Sequence, residues 1–264
     1  MSSRREEMLR EMGLAPLWRL RAGTPLDAFS DRAQDTVRLE AGGASPPAAA
    51  DPARVTVRDT PPARDDRRAT IMRMDWTALK EAVSKCVDCA LHAKRNKTVF
   101  GVGDENADWM FVGEGPGADE DAQGDPFVGQ AGRLLDNMLA AIDLKRGEDV
   151  YIANVVKCRP PGNRNPEPDE ARQCEAYLRR QIELIRPRLI VALGRVAALN
   201  LLARDASIAS LRGRVLDYNG TPLIVTYHPA YLLRTLADKA KAWEDLCFAV
   251  KTMQGLKSAA AAAM

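Results

Sequence analysis

The chain has 264 residues, with 38 basic and 36 acidic side chains, so its formal net charge is only +2. That balance excludes polyanion binding through bulk charge, and any nucleic-acid surface must come from local clusters. No apolar run approaches the roughly 18 to 20 residues that span a bilayer, and no leader-like pattern opens the chain, so we expect a soluble, cytoplasmic protein.

Two N-terminal segments are predicted to lie outside the folded domain. Residues 1–22 contain a short amphipathic stretch, residues 4–21, whose apolar side chains share one helical face. Residues 23–74 are rich in Pro, Ala and charged side chains, with few large side chains to bury. This composition predicts a disordered linker.

From Asp75 the pattern becomes that of an α/β domain, which we expect to span residues 75–256. An amphipathic helix begins at Trp76 and leads into a C-x-x-C. Four continuous apolar runs follow, typical of strands in a parallel sheet that is covered on both faces. They begin at Trp109, Val150, Leu189 and Leu223.

Helical patterns separate these runs, at Ala131 to Ile142, Pro168 to Ile185 and Arg195 to Leu202. A last helix is predicted from about Leu236 to Met253, and residues 257–264 are predicted to form a frayed tail. Because the helices are long enough to be crossovers, the sequence predicts a three-layer α/β/α sandwich with a central four-stranded parallel sheet.

The chain has five cysteines, an odd number, with one C-x-x-C, which favours metal ligation in a reducing compartment over a disulfide framework. Cys86, Cys89, Cys158 and Cys174 form the candidate ligand set. Four thiolates suit zinc or an iron–sulfur cluster, and spacing alone does not choose, although the second close pair of a zinc knuckle is missing. Cys247 lies on an apolar helical stripe and is predicted to be an ordinary buried residue.

The ends of the predicted strands carry unusual segments, at the edge where open parallel sheets bind ligands. The first strand runs into Gly-Glu-Gly-Pro-Gly at 113–117 and then Pro-Phe-Val-Gly at 126–129, and the second ends at Asn154. The third ends in Gly-Arg at 194–195, and the fourth leads to His-Pro-Ala-Tyr-Leu-Leu-Arg at 228–234. These segments are predicted to line one pocket.

Together with Tyr-Ile-Ala-Asn-Val-Val-Lys-Cys-Arg-Pro-Pro-Gly-Asn-Arg at 151–164, these motifs resemble those of family 4 uracil-DNA glycosylases. This is the iron–sulfur branch of the uracil-DNA glycosylase superfamily, and the resemblance covers about residues 76–255. It implies a DNA repair enzyme that flips uracil out of single- or double-stranded DNA and hydrolyses its N-glycosidic bond. It also implies a [4Fe–4S] cluster on the four candidate cysteines, and we expect a nucleoid-associated monomer.

The chemistry of the residues agrees with this resemblance. An enzyme that acts on a base must extrude it and read its Watson–Crick edge. The amide of Asn154 can meet O4 and N3–H of uracil, whereas cytosine presents the reversed pattern, and Phe127 offers an aromatic face. His228 is the candidate donor to uracil O2, where negative charge develops, and the backbone at Gly113 and Gly115 could approach the base closely.

The carboxylate that positions water is less clear. In better-known relatives an aspartate follows the first strand, but here Gly115 follows Glu114. Glu114 is therefore the first candidate to orient water or the sugar, with Glu120 second and Asp119 third.

The candidate DNA contacts lie in two segments. Leu232 and Leu233 occupy the place where relatives insert an apolar wedge into the base stack, and Arg234 would contact phosphate. Arg159 and Asn163 lie in a stiff basic loop, plausible along the DNA backbone. The structural alternatives are a buried helix start for the leucines and an ordinary surface loop for the second segment.

Three other functions stay open. One is a glycosylase of the same superfamily with another base preference, such as hypoxanthine or xanthine. Another is a non-catalytic iron–sulfur protein that binds nucleic acid or carries electrons. The third is a variant that traps its product covalently, although the basic, histidine-containing insertion of that branch is absent after the Gly-rich turn.

The N-terminal stretch at residues 4–21 has a resemblance of its own. It is similar to the N-terminal peptide with which the psi subunit of the bacterial clamp loader engages chi. An amphipathic segment on a disordered tether suits helix-in-groove binding, so a replication or repair protein is the predicted partner.

Overall fold

The computed structural model describes residues 64–262, so the predicted partner segment and most of the predicted linker lie outside the described residues. Its strands are β1 (Val102–Gly103), β2 (Trp109–Gly113), β3 (Val150–Asn154), β4 (Leu189–Leu193), β5 (Leu216–Tyr218) and β6 (Thr221–Thr226). They form one sheet in the order β1-β3-β2-β4-β6-β5.

The four central strands are parallel, and they are the four that the sequence predicts. Every residue of β2, β3 and β4 is buried, which explains their continuous apolar runs. The sheet is nevertheless wider than predicted, because β1 and β5 add short antiparallel edges. These edges are only partly buried and too short to give a periodic signal.

Helices cover both faces of the sheet. They are α1 (Arg64–Ile71), α2 (Trp76–Ser84), α3 (Ala118–Gln123), α4 (Gln130–Ala140), α5 (Pro168–Ile185), α6 (Arg195–Leu202), α7 (Ile208–Leu211), α8 (Pro229–Arg234) and α9 (Lys239–Ala262). Single 3-10 turns occur at Ala90–Lys94, Pro161–Asn163 and Leu236–Asp238. Among residues 64–262, no helix combines the length and apolar character needed to cross a membrane.

Alternate strand residues point to opposite faces, and this divides the core into layers. On one face Met110, Val112 and Tyr151 share a cluster with side chains of α2 and α5. On the other face Phe111 and Ile152 share a cluster with side chains of α4 and α9. The predicted three-layer α/β/α sandwich is therefore confirmed.

The fold begins earlier than the sequence predicts, because α1 lies inside the segment predicted as linker. Ile71 is only 2% exposed, and Arg68 forms an ion pair of 3.1 Å with Glu175 on α5. The prediction missed α1 because composition was averaged over the whole linker, whereas this short stretch is fixed to the domain through one buried apolar residue, Ile71.

The C-terminal helix also differs from the prediction. It starts at Lys239 and runs to Ala262, so most of the predicted frayed tail is helical, as an Ala-rich sequence allows. Cys247 is exposed, and the prediction that it is buried was wrong. The buried stripe of α9 is rotated relative to the predicted one and contains Ala242, Asp245, Leu246, Ala249 and Met253.

Candidate active site and cysteine cluster

A cleft of about 620 Å³ lies at the carboxyl ends of the parallel strands. The loops that follow β2, β3, β4 and β6 all contribute to its walls. The predicted site residues that line it are Glu114, Gly115, Phe127, Asn154, Asn163, His228 and Arg234. The fold thus gathers residues that are more than one hundred positions apart in the chain.

Asn154 is the polar end of β3, and it lies beside Phe127. Its Oδ1 is buried and has no hydrogen-bond partner among the described residues. A Cβ at Gly113, its neighbour on β2, would come within 2.5 Å of both Asn154 Oδ1 and Phe127 Cζ, so only glycine leaves room for the amide and the ring. Since an unpaired buried acceptor is costly, this oxygen is prepared for a donor that the protein does not supply.

Phe127 is held in an unusual backbone conformation. Its φ is 56°, in the left-handed region that a side chain such as Phe rarely adopts. The Arg146 guanidinium donates to the carbonyls of Pro126 at 2.8 Å and Phe127 at 2.9 Å. Arg146 also pairs with Asp136 on α4, at 2.9 Å. Nothing in the sequence around Arg146 predicts this role, because its partners are carbonyl oxygens about twenty residues earlier.

The candidate carboxylates differ in what they already bind. Glu120 accepts hydrogen bonds from the backbone N–H groups of Gly117 at 3.0 Å, Val128 at 3.0 Å and Gly129 at 3.2 Å. Both of its oxygens are therefore occupied in fastening the start of α3 to the Phe127 loop. These bonds make Glu120 a positioning group in the wall of the cleft, and they leave Glu114 as the first candidate to orient water.

Glu114 presents the opposite situation. It lines the cleft, and among residues 64–262 its carboxylate forms no hydrogen bond or ion pair. Burial raises its pKa above the usual value. Asp119, the third candidate, is exposed on α3 and lies outside the cleft lining.

His228 caps the N-terminus of α8 and faces Phe127, with their ring centroids 5.5 Å apart. Its Nδ1 accepts a hydrogen bond of 3.2 Å from the Ala230 N–H. Burial, with a smaller contribution from the positive charge of Arg234, lowers the pKa of His228 to about 4. At neutral pH the ring is therefore uncharged, and because Nδ1 is an acceptor, its one proton lies on Nε2.

The structure separates the two leucines of the predicted wedge. Leu232 has no exposed surface and lies in a cluster with Leu134 and Met138 of α4, whereas Leu233 is 39% exposed. A side chain locked in the core cannot enter the base stack, so this correction leaves Leu233 as the candidate.

The basic loop after β3 is largely self-paired. Arg159 donates to Asn163 Oδ1 at 2.7 Å and does not reach the cleft lining. Arg164 lines the cleft but is bound by the buried carboxylate of Glu170 at 2.7 Å. Arg234 also lines the cleft, and within the described part of the chain its guanidinium has no carboxylate partner.

The four predicted cysteines border a second, small cavity on the α2 and α5 side of the sheet. All four are free thiols: Cys86 and Cys89 follow α2, Cys158 follows β3, and Cys174 lies on α5. Burial raises the pKa of Cys174 to about 12. Within residues 64–262, no three His, Cys, Asp or Glu side chains approach each other closely enough to hold a metal ion.

Two basic residues, Arg95 and Lys157, border this cavity, and one of them connects it with the cleft. Arg95 donates to Cys158 Sγ at 3.1 Å. The Lys157 N–H donates to Cys174 Sγ at 3.3 Å, and its fully buried ammonium donates to the Asn154 carbonyl at 2.9 Å. One residue therefore contacts both the cysteine cluster and the polar end of β3.

The comparisons with known proteins agree with this geometry. The family model for the uracil DNA glycosylase superfamily matches residues 100–247. The type-4 uracil-DNA glycosylase of Archaeoglobus fulgidus is 49% identical over 159 residues, which cover 57% of this chain and 79% of that protein. The type-4 enzyme of Thermotoga maritima is 46% identical over 165 residues, covering 62% of this chain and 85% of the relative.

A more distant branch is also similar. The type-5 uracil-DNA glycosylase of Pyrobaculum aerophilum is 34% identical over 146 residues, covering 49% of this chain and 64% of that enzyme. The type-4 relatives match at higher identity and over more of their length, as the motifs and the four cysteines predict. The chain therefore belongs to the uracil DNA glycosylase superfamily, in its type-4 branch.

Proposed function

We propose that this protein excises uracil from DNA by hydrolysing the N-glycosidic bond, the first step of base excision repair. The observation that carries the proposal is the unpaired, buried Oδ1 of Asn154 beside the Phe127 ring. A uracil flipped into the cleft offers the N3–H that this oxygen lacks, while its O4 accepts from the amide nitrogen. The Phe127 ring then covers the face of the base.

His228 stabilises the leaving base. As the glycosidic bond breaks, negative charge grows on the uracil ring, and the Nε2–H of His228 donates to O2. Because the charge grows on the acceptor O2, this hydrogen bond of the neutral imidazole strengthens as the bond breaks and favours the transition state over the ground state. The Ala230 N–H at Nδ1 keeps the proton on Nε2 throughout.

Glu114 orients the attacking water or the sugar. Among residues 64–262 its carboxylate has no hydrogen-bond or ion-pair partner, and Gly115 lines the cleft next to it. The raised pKa of Glu114 means that it gains a proton at a higher pH than an ordinary glutamate. Its contribution should therefore be lost on mild acidification.

The DNA strand runs across α8 and the loop after β3. Leu233 is the proposed wedge that fills the space left by the flipped base, which offsets part of the unstacking cost. Arg234 and Asn163 contact the DNA backbone at the cleft, and Arg159 contacts it further out.

Cys86, Cys89, Cys158 and Cys174 hold a [4Fe–4S] cluster. Four free thiols that border one cavity would supply the four thiolates that such a cluster takes. The cluster would tie the loop after α2, the end of β3 and α5 together. None of its ligands lines the cleft, which supports a structural role.

Residues 4–21 recruit a replication or repair protein. If so, deleting residues 1–22 abolishes pull-down of replication proteins while activity on naked DNA is unchanged. Pull-down that survives the deletion would remove this partner.

The proposed activity is tested with matched oligonucleotides that contain uracil or thymine, followed by alkali cleavage. Strand breakage is expected with uracil only, and it should be lost in His228→Ala. A panel with hypoxanthine and xanthine distinguishes another base preference. No base release from any substrate would leave a non-catalytic protein.

A further inference from the structure

Tyr227 and Tyr231 form a stacked aromatic pair in the wall of the cleft. Their ring centroids are 5.3 Å apart and their planes differ by 13°. Both residues line the cleft, yet neither belongs to the proposed uracil pocket of Asn154, Phe127 and His228. The pair is therefore an aromatic surface without a role in the chemistry described above.

Neighbouring side chains hold the two tyrosines in place. The Tyr231 hydroxyl donates to Asp238 at 2.6 Å, and the Arg212 guanidinium lies 5.4 Å from the centre of the Tyr227 ring. Arg212 is fixed in turn by the buried carboxylate of Asp245, at 2.8 Å. Tyr227 thus has a cation and a ring as neighbours, whereas within the described residues Tyr231 has a ring contact with Tyr227 alone.

The position of Tyr231 on α8 relates it to the reacting nucleotide. His228, Tyr231 and Arg234 follow one another at three-residue intervals, with His228 as the N-cap, so consecutive members are neighbours. All three line the cleft and belong to the face that α8 presents to it. Three residues of helix rise about 4.5 Å, close to the roughly 3.4 Å between nucleotides of one strand. The face presents the proposed uracil donor, an aromatic ring and an unpaired cation in that order.

The size of the cleft leaves room for a second base. Its volume of about 620 Å³ lies within the range of pockets that bind drug-sized ligands, which are larger than one pyrimidine.

We propose that Tyr231, backed by Tyr227, is a second base site that stacks on the nucleobase next to the flipped uracil, while Arg234 binds the phosphate between the two nucleotides. The inference rests on the proposed uracil excision and extends it to the substrate's neighbouring nucleotide. Stacking tolerates any base, because every base has a π face, and it does not need a complementary strand. It would therefore allow the enzyme to hold single-stranded DNA.

The test uses single-stranded oligonucleotides in which 2-aminopurine lies directly 5′ or directly 3′ of a 2′-fluoro-2′-deoxyuridine. The fluorine destabilises the cation-like sugar, so the base is bound but not released. Because 2-aminopurine is quenched by stacking, one of the two oligonucleotides should be darker in complex with the wild type than with Tyr231→Leu. The variant should also bind both oligonucleotides roughly tenfold more weakly.

Three controls make the result specific to the ring. Tyr218→Leu removes a tyrosine of β5 that lies outside the cleft lining and should leave the fluorescence unchanged. Tyr231→Phe keeps the ring and loses the hydroxyl, so it should retain the quenching. The inhibition constant of free uracil, which occupies the Asn154 pocket alone, should be the same in wild type and Tyr231→Leu.

Equal fluorescence and equal affinity of wild type and Tyr231→Leu with both oligonucleotides would overturn the inference. If Tyr231→Leu does not fold, Tyr231→Trp is compared with Tyr231→Phe. The larger ring should bind more tightly, and equal binding would count against stacking. A failure of the proposed function looks different, because the wild type itself would then release no uracil.

Discussion

The cleft and the cysteine cluster both adjoin the end of β3, but they differ in whether their polar groups have hydrogen-bond partners. In the cleft, Asn154 Oδ1 and the Glu114 carboxylate have no partners among the described residues. At the cluster, Arg95 donates to a cysteine sulfur, and the buried ammonium of Lys157 has two acceptors. Polar groups without a partner lie where a substrate can supply the missing hydrogen bond. Polar groups with partners lie where hydrogen bonds hold chain segments together.

The comparison predicts that changes at the cluster act on folding and changes in the cleft act on the reaction. The largest effect is expected from Cys158→Ala, which removes one ligand of the proposed cluster. The variant should be colourless and poorly folded, since metal binding contributes directly to folding. Absorbance near the iron–sulfur band, iron content and the thermal midpoint Tm measure the effect.

Cys247→Ala is the matched control for this variant, because Cys247 is exposed on α9. It should keep the colour, the iron and the Tm of the wild type. A Cys158→Ala protein that retains full iron content would show that the four thiols do not act as one ligand set.

The next largest effect is expected in the cleft. His228→Ala removes the proposed donor to uracil O2 and should lower kcat by roughly 10² to 10³, the usual loss for one such donor. Asn154→Ala should lower kcat/KM by a similar factor. Both proteins should keep the iron of the wild type, because neither side chain contacts the cysteine cluster. Asn154→Ala should also keep the Tm, whereas His228→Ala should lower it by a few degrees, since His228 caps α8.

His92→Ala is the control, since His92 is the other histidine and is exposed. Single-turnover release of uracil from an oligonucleotide measures the chemical step. Wild-type rates in either cleft variant would remove the role assigned to that residue.

A substitution of Arg146 tests whether the loop that holds Phe127 affects substrate binding in the cleft. Arg146→Lys keeps the charge but loses the planar guanidinium that donates to both carbonyls and to Asp136 together, so the strained Phe127 backbone should relax. We expect KM to rise roughly tenfold with a smaller change in kcat, since stacking on a flipped base is worth a few kcal/mol at most.

Arg179→Lys changes an exposed ion pair on α5 and serves as the comparison. Steady-state kinetics on single-stranded uracil DNA separate KM from kcat. Unchanged KM in Arg146→Lys would mean that the loop holds Phe127 without its help.

The parts of the site that the sequence predicts are those that depend on residue type and order. Asn154 is the last residue of β3 and His228 lies just after β6, and the sheet brings such strand ends together whatever the detailed packing. Phe127 lies in the long connection after β2, and its sequence motif predicts its role. The roles of Arg146 and Glu120 could not be predicted, because their partners are backbone atoms of loops. Their own positions in the sequence carry no period or motif.

Packing explains the remaining differences. Leu232 and Leu233 are equivalent in sequence, and only the rotation of α8 against α4 buries the first and exposes the second. Cys247 was misplaced for the same reason, because a shift of one position along α9 moves a residue by about 100° around the helix. The burial of the strand residues was predicted correctly, because both faces of these strands are covered and a shift of one position changes nothing.

The smallest expected effect connects the cleft with stability through pH. In the unfolded chain His228 titrates near 6.5, whereas burial lowers its folded pKa to about 4. Between these values the unfolded state binds a proton that the folded state does not. Stability should therefore fall as the pH drops from about 7 toward 4, with no further loss from this group below that range.

His228→Asn removes this titration and keeps an N-cap for α8, since Asn accepts from the same backbone N–H groups. Urea unfolding at pH 7.5 and at pH 6 measures the effect in both proteins. The variant should lose roughly 1 kcal/mol less than the wild type on acidification. Equal losses would mean that the imidazole reaches solvent and is protonated in the folded state, and a charged His228 would then contradict the neutral donor on which the proposed reaction depends.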